Sequence, residues 1–485
     1  MKYRREFMEL MRDVKLSMFT KEDMQRVHDY SLKLLWENGI NIANDRALSL
    51  FKQHGFKVEG SQIFITQKQV EDALEKIPSH FVLHARNSKN NLDLGAGDYG
   101  VCTPIGPVNV RTLDGGLRAG TFKDAENLVK IYQASDVINI NTNNGVEAND
   151  IPTDNRHLEV MRMLLRHTDK PIYTRLFDYE QMHEAMDMVE IAVGEKLEKG
   201  GNIWLAPGSC PSLSPMAYSR EVADCIIALA ERGQVVTLGS ATSTGVTGPI
   251  QIFATIVMQN AEQLAGMVLA QLVNPGNAVG YGVAACPGNM RGAKYCCGSP
   301  GRVMLQIGSI EMGKNFYHLP TRTEPYTTES SLNDVQSGME SYEGTMCNIL
   351  SGADYQLGEI GTLDALMTVS YEKTILDEEI TSRLLYIKKG IDVSEEAAGL
   401  ETIMNVGSGG TFLMEDDTID QMYDAWYPKY TDWNRKVDEI GDDDYTYILR
   451  RANAEWKRRL EEAPETMLDE GTEEALNDYV NQHKK

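Results

Sequence analysis

The chain has 485 residues, with 47 Lys and Arg against 71 Asp and Glu and a formal charge of −24; its pI is near 4.8. That balance excludes a role built on nucleic-acid phosphates, which need basic surfaces, while the length allows one large core with additions or two to three domains. The opening MKYRREFMELMR lacks the apolar run of a signal peptide, and charged and amide side chains interrupt every long apolar stretch, so neither a membrane span nor an export signal is read and a cytoplasmic location is expected.

Residues 1–90 read as an N-terminal helical cap or arm. Thr20-Lys-Glu-Asp23 has the form of a capping box and opens a helix to Asn38. Asn44 caps a second helix ending near His54, and Thr66-Gln-Lys-Gln69 caps a third, stopped by Pro78. Between them, Gly55 to Ile65 reads as a strand or hairpin. Next comes Leu92-Asp-Leu-Gly-Ala-Gly-Asp-Tyr-Gly100, which resembles the glycine loop of S-adenosylmethionine-dependent methyltransferases. Such a loop must open a helix. Here Pro104 and Pro107 follow, then a strand from Val108 and an Asp114-Gly-Gly turn. The stretch therefore reads as a glycine-rich β-turn region, with the adenosyl site as the alternative.

From Thr121 helical and strand-like runs alternate. The strand-like runs are 138–142, 172–175, 202–206, 235–239, 278–283, 318–323, 350–358 and 403–406. Ser240 to Gly282 is the clearest unit: a polar loop, a helix opened by Gly248-Pro249 with Val257, Ala261, Leu264, Val268 and Leu272 on one face, and a stop at Asn274-Pro275-Gly276. Eight strands alternating with helices predict an α/β protein, a closed (β/α)8 TIM barrel over residues 91–411 with ligands at the carboxyl ends of its strands. From 412 the chain turns acidic and helical and reads as a C-terminal extension.

Several stretches carry a family likeness. Pro211–Met216, Gly245–Pro249, Asn260–Gly266, Leu269–Gly276 and Thr328–Glu340 are similar to those of the trimethylamine methyltransferase family. Asp114–Asp124, Ser370-Tyr-Glu372, Leu376-Asp377 and Gly407–Phe412 extend the match over about residues 95–455. The resemblance implies a TIM-barrel enzyme that moves a methyl group from an amine to the Co(I) of a corrinoid (cobalamin) on a cognate partner protein. This chain would not bind the corrinoid tightly. Archaeal trimethylamine members carry pyrrolysine in the loop after the sixth strand, where this chain has Arg322–Thr328. It thus resembles the pyrrolysine-free branch, which uses quaternary amines: glycine betaine first, with proline betaine and carnitine next. A quaternary ammonium already leaves as a neutral amine, so positioning and electrostatics suffice and no acid–base pair is needed. The alternatives are an S-adenosylmethionine-dependent enzyme using Gly95–Gly100 and a non-catalytic betaine-binding barrel. A homo-oligomer is expected; membrane and nucleic-acid partners are not.

A trimethylammonium group calls for aromatic faces and a carboxylate. The aromatic candidates are Tyr99, Trp204, Tyr281 and Phe412, each also readable as core. Gln356, within the seventh strand-like run, and Glu359, just after it, supply polar groups; relatives often carry histidine near Glu359 and before Thr418, where this chain has Asp417. Arg322 is the candidate for a betaine carboxylate, with Arg175 and Arg291 as alternatives and rim salt bridges as their other reading. Gln336 and Glu340, one helical turn apart, belong to the family signature and read as supporting or corrinoid-facing. Seven cysteines, an odd number without framework spacing, read as reduced thiols. Cys286, Cys296, Cys297 and His318 lack zinc-motif spacing, so no metal is expected.

Overall fold

Eight short parallel strands close on themselves in the structure, a computed structural model describing residues 11–12, 14–175, 177–207, 209–292, 294–434 and 446–484. The strands are β1 (Gly100–Val101), β2 (Asn141–Thr142), β3 (Ile172–Thr174), β4 (Leu205–Pro207), β5 (Val236–Ser240), β6 (Val279–Gly282), β7 (Thr321–Thr323) and β8 (Tyr355–Gln356). Ile172 pairs with both Asn141 and Leu205, Val236 with Val279, Tyr281 with Thr321, and Arg322 with Tyr355. Cys210–Ser212, just beyond β4, pairs with Leu238–Ser240 of β5. The circle closes where Tyr355 pairs with Gly100 and where the amides of Asn139 and Ile140 donate to the Val101 carbonyl.

Helices alternate with the strands: α1 (Phe122–Gln133), α2 (Arg156–His167), α3 (Tyr179–Val193), α4 (Arg220–Glu231), α5 (Ile252–Val273), α6 (Pro300–Ile310), α7 (Val335–Leu350) and α8 (Tyr371–Lys389). Consecutive helices pack side by side, and Tyr447–Glu462 fills the gap between α8 and α1. This is the (β/α)8 barrel that the alternation predicts. Its frame, however, is displaced by one strand from the predicted one. Residues Leu400–Val406 form a helix, not the eighth strand. The first strand is Gly100–Val101, three residues ahead of Pro104 and six ahead of Pro107, too short to show a period.

The N-terminal helices Lys21–Glu37, Asp45–Gln53 and Gln67–Leu74 start at Thr20, Asn44 and Thr66 as read, and both threonines form complete capping boxes. A hairpin of Phe81–Leu83 and Leu92–Leu94 follows. Phe81 meets the Tyr355 ring edge-on at 6.5 Å inside the barrel. Gly95 and Gly97, at φ +98° and +127°, turn the chain from that hairpin into β1. The glycine loop therefore lies at the amino end of the barrel and opens a strand, so the helix that an adenosyl site requires is absent there.

Helix α5 is long and apolar enough to cross a membrane, yet 83% of its most apolar window is buried in the molecule. It begins at Ile252 with Gln251 as N-cap, three residues beyond Pro249. Its polar residues are buried and bonded. Glu262 accepts from the Ser214 and Ser240 hydroxyls (2.8 and 2.7 Å) and the Met216 amide (2.7 Å). Gln263 accepts from the Gly282 amide of β6 at 2.9 Å. Most buried polar groups in proteins are bonded in this way, and these bonds tie α5 to strand ends on two sides. Inside the barrel the Tyr355 hydroxyl bonds Thr237 at 3.1 Å. A Cβ at Gly280 would sit 2.0 Å from that hydroxyl, so only glycine fits.

Candidate active site

Alternation along β7 decides what reaches the barrel interior. Thr321 faces out, toward Gly313 beyond the wall. Arg322 faces in and is fully buried. Its Nη1 donates to the Val283 carbonyl at 3.1 Å and its Nη2 to Glu324 Oε1 at 2.5 Å. The other oxygen of Glu324 accepts from Arg302 Nη2 at 2.8 Å, and the Glu324 carbonyl accepts from Gln306 at 2.9 Å. One carboxylate is thus forked between two buried guanidiniums, an arrangement that fixes both. Arg302 retains Nε and Nη1, both buried, without a partner.

Glu359 follows β8 and is 8% exposed. Burial, then the charge of Glu324, pushes its carboxyl well above the usual carboxylate range, against the pull of Arg302 and Arg322. Glu359 thus faces one carboxylate, Glu324, and two buried arginines, Arg302 and Arg322. Tyr173 on β3 brings a buried hydroxyl without a partner, close enough to sense Arg322, Cys102 and Glu359; burial holds its proton firmly. The Ser209 hydroxyl, also buried and without a partner, lies against Gly239, where a Cβ would be 2.4 Å from it and 3.6 Å from Arg322 Nη1. Unspent donors on three residues, Arg302, Tyr173 and Ser209, thus converge at the carboxyl end of the barrel.

A hairpin of Cys286–Asn289 and Lys294–Tyr295 overhangs this end. The Tyr295 hydroxyl donates to the Ala241 carbonyl, in the loop that follows β5. Its ring is 37% exposed and stands near Cys286, Cys297, Glu324 and Arg302. Burial keeps Cys286 protonated, and its hydrogen bond to Cys297 draws the Cys297 thiol below its ordinary range. Cys296 is half-buried beside them, and His318 lies before β7 at the opposite end of the barrel. Among the described residues no group of three His, Cys, Asp or Glu is arranged to hold a metal.

The structure brings two of the residues singled out from the sequence, Arg322 and Glu359, to this mouth. Others lie elsewhere. Gln356 points outward from β8, bonding Tyr99 at 2.9 Å and Tyr326 at 2.6 Å. Tyr99 precedes β1 and lies under the Lys388 ammonium at 4.7 Å. Tyr281 also faces outward, with its hydroxyl 2.9 Å from Asn260 of α5. Trp204 sits at the amino end of β4 beside His84, 5.4 Å between rings. In each case strand parity or strand direction sends the ring away from the mouth. Phe412, 44% exposed, and Asp417, which accepts from Thr402, belong to a C-terminal arm. Arg175 pairs with Glu147 at 2.6 Å, and Arg291 is exposed at the hairpin turn. Gln336, exposed, bonds Glu340 at 3.0 Å. Glu340 accepts from Thr328 and the Glu329 amide, and Glu329 in turn accepts from the Cys297 amide. The α7 pair therefore braces the loops that carry the mouth. Sequence reasoning missed Arg302, Glu324, Tyr173 and Tyr295. Glu324 was signalled by its two-residue spacing from Arg322; the others come from separate strands and loops.

Among known proteins, the chain is 31% identical over 433 residues to glycine betaine methyltransferase of Desulfitobacterium hafniense (strain Y51), covering 88% of this chain and 89% of that one. It is 30% identical over 456 residues to proline betaine:corrinoid methyltransferase of Eubacterium limosum, covering 88% and 90%. Its fold resembles the crystal structure of the Methanosarcina barkeri monomethylamine methyltransferase, at a TM-score of 0.50 and 11% identity, over 98% of this chain and 97% of the other; that likeness concerns fold alone. The family model for trimethylamine methyltransferase (MTTB) matches residues 4–485, and the chain belongs to that family.

Proposed function

We propose that this enzyme transfers a methyl group from a quaternary amine bearing a carboxylate, glycine betaine first and proline betaine or carnitine next, to a corrinoid carried by a separate protein. The observation that carries this reading is the buried Arg302, whose Nε and Nη1 find no acceptor in the protein. A carboxylate supplies the acceptor that these donors lack, in a charge-assisted hydrogen bond. Glu324, held from behind by Arg322, sets the orientation of the Arg302 guanidinium. The Tyr173 and Ser209 hydroxyls offer further donors, and the Tyr295 ring offers a face for the trimethylammonium group.

The acceptor's Co(I) supplies the nucleophile. The C–N bond breaks with its electron pair on nitrogen, so the amine leaves neutral and takes no proton from the protein. What remains for this chain is to anchor the carboxylate, aim one methyl outward and exclude water, which is catalysis by orientation. A general acid is unnecessary, consistent with a Glu359 carboxyl placed among charges and not beside a hydrogen-bonded base. The S-adenosylmethionine reading loses its footing, because Gly95–Gly100 is a turn at the far end of the barrel.

The test is anoxic methylation of free cob(I)alamin, followed by absorbance, with glycine betaine, proline betaine, carnitine, choline and trimethylamine. Turnover with the carboxylated amines and little with choline or trimethylamine supports the reading. Calorimetric binding of betaine without turnover, even with a cognate corrinoid protein added, would instead identify a non-catalytic betaine-binding barrel.

A further inference from the structure

The loops that follow β5, β6 and β7 expose large apolar side chains on one side of the mouth. Val246 and Ile250 lie between β5 and α5, Met290 lies at the tip of the overhanging hairpin, and Leu332, Val335 and Met339 run from the loop after β7 into the second turn of α7. All six are 50–87% exposed.

Three of these side chains converge. A Cβ at Gly245 would stand 2.9 Å from Ile250 Cδ1 and 3.0 Å from Met290 Cε, and one at Gly288 would stand 2.8 Å from Val246 Cγ2 and 3.0 Å from Met290 Cε. Gly288 pairs directly with Tyr295 across the hairpin. Opposed residues share a face, so Val246 and Met290 lie on the Tyr295 face of the hairpin. The start of α7 is tied to the same hairpin. Its Glu340 accepts from the Glu329 amide at 2.9 Å, and Glu329 accepts from the Cys297 and Gly298 amides just beyond the hairpin. Helix α6 packs against both the hairpin and α7 and adds Met304, 41% exposed.

We infer that this patch, built on the loops after β5, β6 and β7, is the surface on which the corrinoid protein docks, against an apolar face of that protein. The inference rests on the proposed reaction. Attack on a methyl carbon requires the cobalt to come within about 3–3.5 Å of it, so the protein that carries the cobalt must touch loops around the mouth. The patch lies on the loops that hold Tyr295, Cys297 and Glu324 and is continuous with the mouth. A second copy of this chain seated there permanently would bar the cobalt. A carrier that arrives and leaves needs a surface that binds without locking; methionine is adaptable and is enriched at protein interfaces. The other exposed apolar stretch, residues 400–427, starts from the wrong end. Helix α8 ends at the amino end of the barrel, where Lys388 lies over the Tyr99 ring, and the chain leaves the body there.

The test compares two acceptors. Met290→Glu combined with Val335→Glu places two carboxylates in the patch; both positions are exposed, and Val335 opens α7, where an acid suits the helix dipole. In anoxic assays with glycine betaine the double variant should raise the KM for the cognate corrinoid protein by about 10-fold or more. Turnover of free cob(I)alamin, which needs no docking face, should stay unchanged. Leu413→Glu, in the exposed stretch at the other end, should alter neither. Calorimetry with the corrinoid protein carrying hydroxocobalamin reads docking without turnover, and the double variant should bind about 10-fold more weakly than wild type. Docking that weakens in this way, with no methyl transfer from any amine, would sink the proposed reaction and keep the docking surface. An unchanged KM and affinity in the double variant, an equal loss with free cob(I)alamin, or weakening by Leu413→Glu instead would overturn the inference alone. So would sedimentation in which the double variant breaks up a wild-type oligomer, since the patch would then belong to a second copy. A wild type that does not bind the corrinoid protein would overturn both.

Discussion

The two ends of the barrel use the same eight strands for opposite purposes. At the amino end, Phe81, Leu83 and Leu94 of the hairpin pack with Ile140, Val235, Ala278 and Tyr355 into an apolar plug. The Tyr355 hydroxyl is satisfied by Thr237. At the carboxyl end the interior holds Arg322, Arg302, Glu324 and Glu359, with donors on Arg302, Tyr173 and Ser209 left unpaired. Unpaired buried donors cost stability, as do buried charges. One end thus maximises packing, while the other forgoes it and keeps groups free for a ligand.

Changes at the two ends should therefore separate activity from stability. The largest effect is expected at Arg302. Arg302→Met should lower kcat/KM for glycine betaine by about 100-fold or more, the size of a lost charge-assisted anchor. It should barely change the weak turnover of choline, which lacks the carboxylate; an equal loss with both amines would make Arg302 merely structural. At the plugged end, Gly280→Ala forces a Cβ against the Tyr355 hydroxyl and should cost about 1–3 kcal/mol in urea unfolding. Tyr355→Phe should recover part of that loss, and betaine affinity should stay put. If Gly280→Ala weakens betaine binding at unchanged stability, the division between the ends fails.

Glu359 gives a smaller effect with a defined sign. Its folded carboxyl holds the proton above the unfolded value of 4.5. The stability it contributes is complete below pH 4.5 and is lost as pH rises through the folded pKa. Thermal melts of Glu359→Gln should therefore match wild type near pH 4.5 and exceed it increasingly at higher pH, by about 1–3 kcal/mol once the wild-type carboxyl ionises. Parallel curves would mean that the carboxyl is not buried among these charges. The smallest effect is at exposed Gln336, where alanine should change stability by less than about 0.5 kcal/mol. A raised KM for the corrinoid protein alone would make Gln336 part of the docking face; an unchanged KM would leave it a brace for Glu340.

Legibility in the sequence followed local physics. Capping at Thr20 and Thr66 was readable because the donors and acceptors lie three residues apart. The alternation from Thr121 was readable because each helix spans several turns. β1 was not, since two residues carry no period, and the helix Leu400–Val406 was taken for a strand because its apolar run is short. Arg322 and Glu359 were found because charged residues at the ends of strand-like runs stand out. The aromatic candidates failed for a different reason. Tyr281 is on the correct strand but on its outer face, and Trp204 is on the correct strand but at its closed end; strand parity decides the first and strand direction the second.

The sequence by itself determined the class of fold, the caps, the acidic surface and the family, because propensity, charge and motif are local or additive. Only the tertiary structure decided which groups meet. Arg302, Glu324, Tyr173, Ser209 and Glu359 come from α6, β3 and the segments beyond β4, β7 and β8, and strand parity, strand direction and barrel closure bring them to one mouth. Whether a buried donor is spent or free depends on every neighbour that closure brings, and that is settled in three dimensions.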